Sequence, residues 1–358
     1  MLFTIFLVNS LLLALAMANF LTIRRVPANR EIEESIVVLL PVRNEAENIE
    51  RILQELQEQI NVPHLQVLVI NDSSEDQTNA LAQRFLSNRI SVIQAPPLPT
   101  GWIGKVGALQ AGFTHIAAQL PDVVISIDAD VRFEKDAIAR AVGALNQTGL
   151  DFVSPYPRQI AITWSERLIQ PLLQWSWMST LLLRGAEKFP LPSTVVCNGQ
   201  FLVMRASSLL AIGGFESVSH KVLDDIELGR SFVAGGFKGA VIDGSTISAT
   251  RMYNGLNEIR SGYGKSLHLA FGSLIGSVIA ATFMASTSIL PFIFTLTGNL
   301  LALAALMAII GTRIVSAAAS GTRIRDAFLH PLSAALFIYL LYFSWSNRGK
   351  SQWKGRTL

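Results

Sequence analysis

Apolar residues follow three successive patterns along the chain. Residues 1–23 (MLFTIFLVNSLLLALAMANFLTI) carry no charged side chain and match the about 20 apolar residues that cross a bilayer. Between 33 and 150 the pattern breaks into short units. SIVVLLPV, LQVLVIND, ISVIQA and VVISIDAD read as buried strands. EAENIERILQELQEQI, SSEDQTNALAQRFLSN and KVGALQAGFTHIAAQ read as helices between them. Such alternation predicts an α/β fold, a Rossmann-like and mostly parallel sheet with helices on both faces. Charge disappears again from residue 269 until Arg313, enough length for two membrane spans separated near Pro291, and Ala327 to Trp345 makes a third. The chain therefore divides into an anchor at 1–23, a domain at 33–266 with halves 33–150 and 151–266, about three spans at 267–346, and a basic tail at 347–358.

Flanking charge orients the first span. No basic stretch precedes it, whereas Arg24, Arg25 and Arg30 follow it. That favours an uncleaved anchor over a signal peptide, with the domain on the cytoplasmic side of a multi-pass protein of the cell (inner) membrane. Arg313, Arg323 and Arg325 suit a cytoplasmic loop. Counting crossings then puts the basic tail outside, against the same charge rule. Residues 163–184, TWSERLIQPLLQWSWMSTLLLR, hold Trp164, Trp175 and Trp177 and are too short and Pro-interrupted for a span. They read as a helix lying at the bilayer interface, where indole is favoured; a buried core helix is the alternative.

Composition agrees with a membrane protein. Half of the 358 residues are hydrophobic and 15% are charged, against about a quarter charged in soluble domains. The single cysteine excludes an internal disulfide, and the five scattered histidines form no zinc-ligand spacing. A net charge of +3 is too small to imply nucleic acid as a partner.

In α/β sheets ligands sit at the carboxyl ends of the strands. Three predicted strand ends carry polar residues: Pro41-Val42-Arg43-Asn44-Glu45, Asn71-Asp72 and Asp128-Ala129-Asp130. The last pair reads either as a turn or as a carboxylate site for Mg²⁺ or Mn²⁺ completed by substrate phosphates.

Taken in order, PVRNEAENI, VINDSSEDQT, GWIGKVGALQAG, SIDADV, NGQFLVMRASSLLAIGGF and VLDDIELGRSF resemble the inverting family 2 glycosyltransferases of GT-A fold. The resemblance spans about residues 35–266. It implies that Pro41, Arg43, Glu45, Asp72 and Lys105 line the nucleotide sugar and that Asp130, with Asp128, holds the divalent metal on the diphosphate. It places Asp225 as catalytic base, with Asp224, Gly199 and Gln200 on the acceptor side. Asn71 stands where many relatives have a second Asp. The Q-x-x-R-W of processive relatives is missing; RMYNGLNEIRSGYGKS stands there, and its Arg251, Arg260 and Lys265 are candidates for the diphosphate or for lipid headgroups. A single sugar is then transferred rather than a polymer built.

GWIGKVGAL, RMYNGL and the terminal QWKGRTL further resemble bacterial membrane glycosyltransferases of isoprenoid lipids, both the carotenoid (diaponeurosporenoate-type) glucosyltransferases and hopanoid-associated relatives. That resemblance implies a nucleotide-sugar donor, UDP-glucose first, and a carotenoid or hopanoid acceptor beside Trp175. Polyprenyl phosphate or a glycerolipid is the alternative acceptor, and a non-catalytic membrane scaffold the reading from another class.

Overall fold

The computed structural model describes residues 1–348 and the backbone of 352–353 and 356–357. The rest of the expected basic tail, with Lys350 and Lys354, lies outside the described residues. The chain forms two units. A sheet unit comprises Arg24–Arg158 and Gly185–Thr250, and a helical unit comprises Met1–Ile23, Gln159–Arg184 and Arg251–Leu358.

Four consecutive strands build one side of the seven-stranded sheet: β1 (Ile36–Val42), β2 (Leu65–Asn71), β3 (Ile90–Gln94) and β4 (Val123–Ile127). They pair in parallel in the order β3-β2-β1-β4. The strand Phe201–Arg205 follows β4 and runs antiparallel to it, and Phe152–Tyr156 and Gly239–Asp243 complete seven strands. The sheet is thus mostly parallel with one reversed strand, which the sequence pattern did not announce.

Alternation along β1 explains the two covered faces. Val38, Leu40 and Val42 join a core with Ile49, Ile52, Leu53 and Leu56 of the helix Ile49–Gln57. Each such fully buried aliphatic side chain contributes on the order of 2 kcal/mol. Val37 and Leu39 point the other way, into a core with Val106, Leu109 and Phe113 of the helix Gly104–Ile116 and Leu228 and Phe232 of the helix Asp224–Ala234. Both of these helices therefore lie on one face.

In the helical unit, four helices among the described residues are long and apolar enough to cross a membrane: Leu2–Thr22, Leu274–Thr295, Leu300–Ser320 and Ile324–Ser346. The helix Trp164–Thr180 also belongs here, not with the sheet. Its Leu168, Ile169, Leu172 and Trp175 share a core with Leu306, Ile309, Ala334 and Leu340. The expected row of interfacial tryptophans is not what forms: Trp175 and Trp177 are buried while Trp164 is exposed. The apolar stripe is long enough to bury indole in a helical core, which periodicity does not distinguish from a lipid-facing stripe.

Candidate active site

The sheet ends at Ile127, and the chain turns through Asp128-Ala129-Asp130, with Val131 N–H donating to the Asp128 carbonyl at 3.3 Å. The reversed strand brings a second motif to this turn. Phe201 pairs with Ile127, so the next position outward aligns Gln200 with Asp128, whose N–H donates to the Gln200 carbonyl at 3.2 Å. Gly199 and Asn198 follow. Asn198 is fixed by Ser154, whose Oγ accepts its N–H at 2.9 Å, and its own Oδ1 accepts the Gln200 N–H at 2.8 Å.

Lys105 is the hub of the cluster. It is the second residue of the helix Gly104–Ile116, and Asp224 and Asp225 open the helix Asp224–Ala234 on the same face. Lys105 Nζ lies 2.6 Å from Asp128 Oδ1 and 3.9 Å from Asp224 Oδ2. Asp225 turns toward the reversed strand, its Oδ2 accepting the Gly199 N–H and its Oδ1 the Ile226 N–H, each at 2.8 Å. Gly199 must be small: a Cβ there would lie 3.1 Å from Asp225 Cβ and 3.2 Å from Lys105 Nζ. The side chains of Lys105, Asp128 and Asp224 keep 18%, 29% and 20% of their surface, so the cluster is open to a ligand.

Crowded charge sets the protonation states. Burial alone lowers the Lys105 pKa, but Asp128 and Asp224 override it and hold the ammonium well above its ordinary range. Burial pushes Asp130 up to about 6, helped by the negative charge of Asp128 and opposed by the Thr250 hydroxyl, which donates to its Oδ2 at 3.0 Å. Burial likewise pushes Asp224 up to about 6, against the pull of Lys105 and with the push of Asp225. Asp225 is raised by burial and restrained by the Gly199 N–H. Burial keeps the Cys197 thiol protonated, so it offers no nucleophile here.

The other predicted residues fall into two groups. Pro41 and Arg43 sit at the end of β1, and Arg43 is turned onto the loop after β2. Its Nη1 donates to the Asp72 and Ser73 carbonyls at 2.8 and 2.9 Å, and its Nη2 to Glu75 Oε1 at 3.0 Å. Asn44 and Ser73 both adopt left-handed backbone, φ 53° and 52°. Their loops interlock, since Glu75 N–H donates to Asn44 Oδ1 at 2.8 Å and the Glu45 N–H donates to Thr78 Oγ1 at 2.7 Å. Asp72 is buried at the end of β2, while neighbouring Asn71 donates to Gln94 Oε1 at 2.7 Å. Glu45 adds its charge to the field on Asp130.

Trp175, Arg260 and Lys265 belong to the helical unit. There Trp175 Nε1 donates to Thr312 Oγ1 at 2.6 Å, the Arg260 guanidinium stacks 4.5 Å from the Phe343 ring centre, and Lys265 lies on the helix Leu256–Ala270. Arg251 pairs with Glu166 at 3.1 Å. Sequence reading overlooked Asn198, Ser154, Thr250 and His220. The last meets the Gly101 carbonyl at 2.6 Å through Nδ1 and pins the turn that Gly101, at φ 81°, allows before Lys105. Only its place in a loop next to the Asp224-Asp225 pair hinted at this.

Among the described residues no group of three or more His, Cys, Asp or Glu side chains converges on a metal-sized site. A protein-only cage is therefore absent, yet the donor set suits a hard divalent ion shared with a diphosphate. Asp128 and Asp130 supply carboxylate oxygens on one turn, and Asp130 sits amid like charges that a cation would offset.

Comparison with known proteins agrees with this geometry. Residues 37–213 match the family model for glycosyl transferase family 2. The 4,4'-diaponeurosporenoate glycosyltransferases of Staphylococcus aureus strains MRSA252 and USA300 are each 23% identical over 345 residues, 90% of this chain and 88% of theirs. A mannosyltransferase from Pyrobaculum calidifontis, solved with GDP-Man and Mn²⁺, superposes with a TM-score of 0.52 at 17% identity, covering 97% of this chain and 98% of its own. Residues 37–213 are therefore a glycosyl transferase family 2 domain on a GT-A fold, and the chain is a glycosyltransferase.

Proposed function

We propose that the enzyme moves one hexose from a nucleoside diphosphate sugar to a hydroxyl or carboxyl group of a membrane isoprenoid lipid, a carotenoid or hopanoid, with inversion at the anomeric carbon. The observation that carries it is the Asp225–Gly199 contact beside the Lys105–Asp128 pair. It sets a carboxylate next to a cation in one accessible cluster.

The transfer needs charge control on one side and a base on the other. Breaking the sugar–phosphate bond leaves negative charge on the diphosphate, and the Lys105 ammonium, which pairs with Asp128 and Asp224, is a donor for those oxygens. Asp128 and Asp130 would hold a divalent cation, Mg²⁺ or Mn²⁺, which supplies Lewis-acid stabilisation of the same charge. Asp225 accepts the proton of an attacking hydroxyl. Its two backbone hydrogen bonds orient the carboxylate, and its raised pKa makes it a stronger base than a solvated aspartate. Attack opposite the leaving group turns an α-linked donor into a β-linked product.

UDP-glucose is the first donor to test and GDP-mannose the second, the latter because the Pyrobaculum enzyme was solved with it. The isoprenoid acceptor rests on the Staphylococcus relatives and on the four apolar helices. Arg24, Arg25 and Arg30 after the first of them favour a multi-pass protein with the sheet unit in the cytoplasm. Mass analysis of lipids from cells with and without the protein tests the reading. A hexosylated carotenoid or hopanoid appearing only with the protein supports it, and unchanged isoprenoids with a new hexosyl polyprenyl phosphate defeat it.

A further inference from the structure

The helical unit contains a buried polar cluster that the transfer chemistry does not use. Arg313 lies in the apolar helix Leu300–Ser320 and is 3% exposed. His330 and Ser333, one turn apart on the helix His330–Ser346, are both 0% exposed. Arg313 Nη1, His330 Nδ1 and Ser333 Oγ have no hydrogen-bond partner among the described residues, and neither does Gln170 Nε2 on the helix Trp164–Thr180.

Contacts through Trp175 bring Arg313 and His330 together, and Ser333 lies one turn beyond His330 on the same helix. The His330 ring centre is 4.7 Å from that of Trp175, whose indole N–H donates to Thr312, the residue before Arg313. His330 Nε2 meets Ser288 Oγ at 3.1 Å. Ser288 belongs to the π-helical turn Ala285–Ile289, a distortion that recurs at functional sites. Its neighbour Thr287 has its carbonyl held by Asn9 Nδ2 at 2.8 Å. Arg313 is within electrostatic reach of both His330 and Asp326.

Charge is unbalanced at this point. Asp326 is already engaged by Arg167 through two hydrogen bonds, one of them Nε to Oδ2 at 2.9 Å. With that pair neutral, Arg313 remains as one net positive charge in an apolar helical environment. An ionisable residue in such a segment is costly unless it meets a partner, and it commonly marks a functional site. When Ser288 donates to Nε2, the proton of the imidazole sits on Nδ1, which becomes a donor alongside the guanidinium and the hydroxyl.

We propose that Arg313, His330 and Ser333 bind the oxyanionic head of a membrane amphiphile, a carboxylate or a phosphate. Among the described residues of the helical unit the unpartnered donors Arg313 Nη1, Gln170 Nε2 and Ser333 Oγ outnumber the unpartnered acceptor Asn9 Oδ1, which selects an anion, and the flanking apolar helices select one attached to a hydrocarbon chain. The proposal stands independently of the glycosyl-transfer reading.

The test uses the full-length protein in a neutral detergent. Oleate, dioleoyl phosphatidylglycerol and the uncharged methyl oleate are titrated while the thermal midpoint and tryptophan fluorescence are followed. A saturable rise of at least about 2 °C with an oxyanionic probe, absent with methyl oleate, is expected. A response to oleate alone identifies a carboxylate source, and a response to the phospholipid alone a phosphate source. Arg313→Met removes the buried charge without opening a cavity, so it should fold at least as well and lose the response. His330→Gln provides a second variant and should weaken binding about tenfold, as expected for one charge-assisted donor. An equal response to methyl oleate, or an undiminished response in either variant, overturns the proposal.

Discussion

Gly199→Ala probes the active site at its narrowest point. The added methyl would stand 3.1 Å from Asp225 Cβ and 3.2 Å from Lys105 Nζ, whereas carbon–carbon contacts relax at about 3.5–4.0 Å. Asp225 must then retreat by about 0.5 Å, stretching its 2.8 Å bond from the Gly199 N–H. Gly199 is not among the glycines with positive φ, so the effect comes from the methyl group and not from backbone strain. A misplacement of about 1 Å costs roughly 10²-fold in rate. Half that distance should lower kcat about tenfold, or about 1.4 kcal/mol in the barrier. Overpacking adds on the order of 1–3 kcal/mol of native-state strain, visible as a lower thermal midpoint. Initial rates of labelled-hexose transfer into the organic phase, measured beside a melting curve, give both numbers. Wild-type kcat together with a wild-type midpoint would refute the placement of Asp225 against the reversed strand.

Further consequences follow from the charges around that contact. With a hydroxyl acceptor, kcat/KM should fall as pH drops through an apparent pKa above the ordinary aspartate value of about 3.9, because burial raises Asp225 and only its ionised form is a base; Asp225→Asn should lose about 10²–10⁴-fold. Asp224 carries a folded-state pKa of about 6, so its contribution to stability is complete below about 4 and is lost as pH rises through about 6. Asp224→Asn should therefore raise the midpoint of the ligand-free protein at pH above 6 and change it little near pH 4, as a pH series of melting curves would reveal. Arg43→Met should raise the donor KM about tenfold and leave kcat within about threefold, since it removes the clamp on the Asp72–Glu75 loop at a scale of about 1–3 kcal/mol; a kcat loss with unchanged KM would instead put the guanidinium on the reacting phosphate.

The strands and the carboxylates at their ends were legible because both signals are local: an apolar run, then Asp128 and Asp130 where it stops. The apolar helix at the start and the three later ones were legible for the same reason, by length alone, although the break expected near Pro291 falls inside Leu274–Thr295 and Arg313, expected in a loop, lies within Leu300–Ser320. What the residues by themselves left open is non-local. Gly199 reaches Asp225 because Phe201–Arg205 runs against β4, and nothing in FLVMR reveals its direction. Lys105 reads as an ordinary helix-start lysine until its helix and Asp224–Ala234 prove to share one face of the sheet. Arg43 was expected, by resemblance, to line the nucleotide sugar, and its donors hold loop carbonyls. Trp175 illustrates the remaining ambiguity: an indole at helical spacing suits either a headgroup layer or a core, and Thr312 decides it for the core.

The most direct measurement is transfer by the purified full-length protein in detergent, supplied with Mn²⁺, labelled UDP-glucose or GDP-mannose, and matched acceptors. A carotenoid acid, a hydroxylated hopanoid and polyprenyl phosphate should be offered separately, and the anomeric configuration of any product read by NMR. The account predicts label on an isoprenoid hydroxyl or carboxyl group with the β configuration from an α-linked donor. Label confined to polyprenyl phosphate, or an α-linked product, would contradict it.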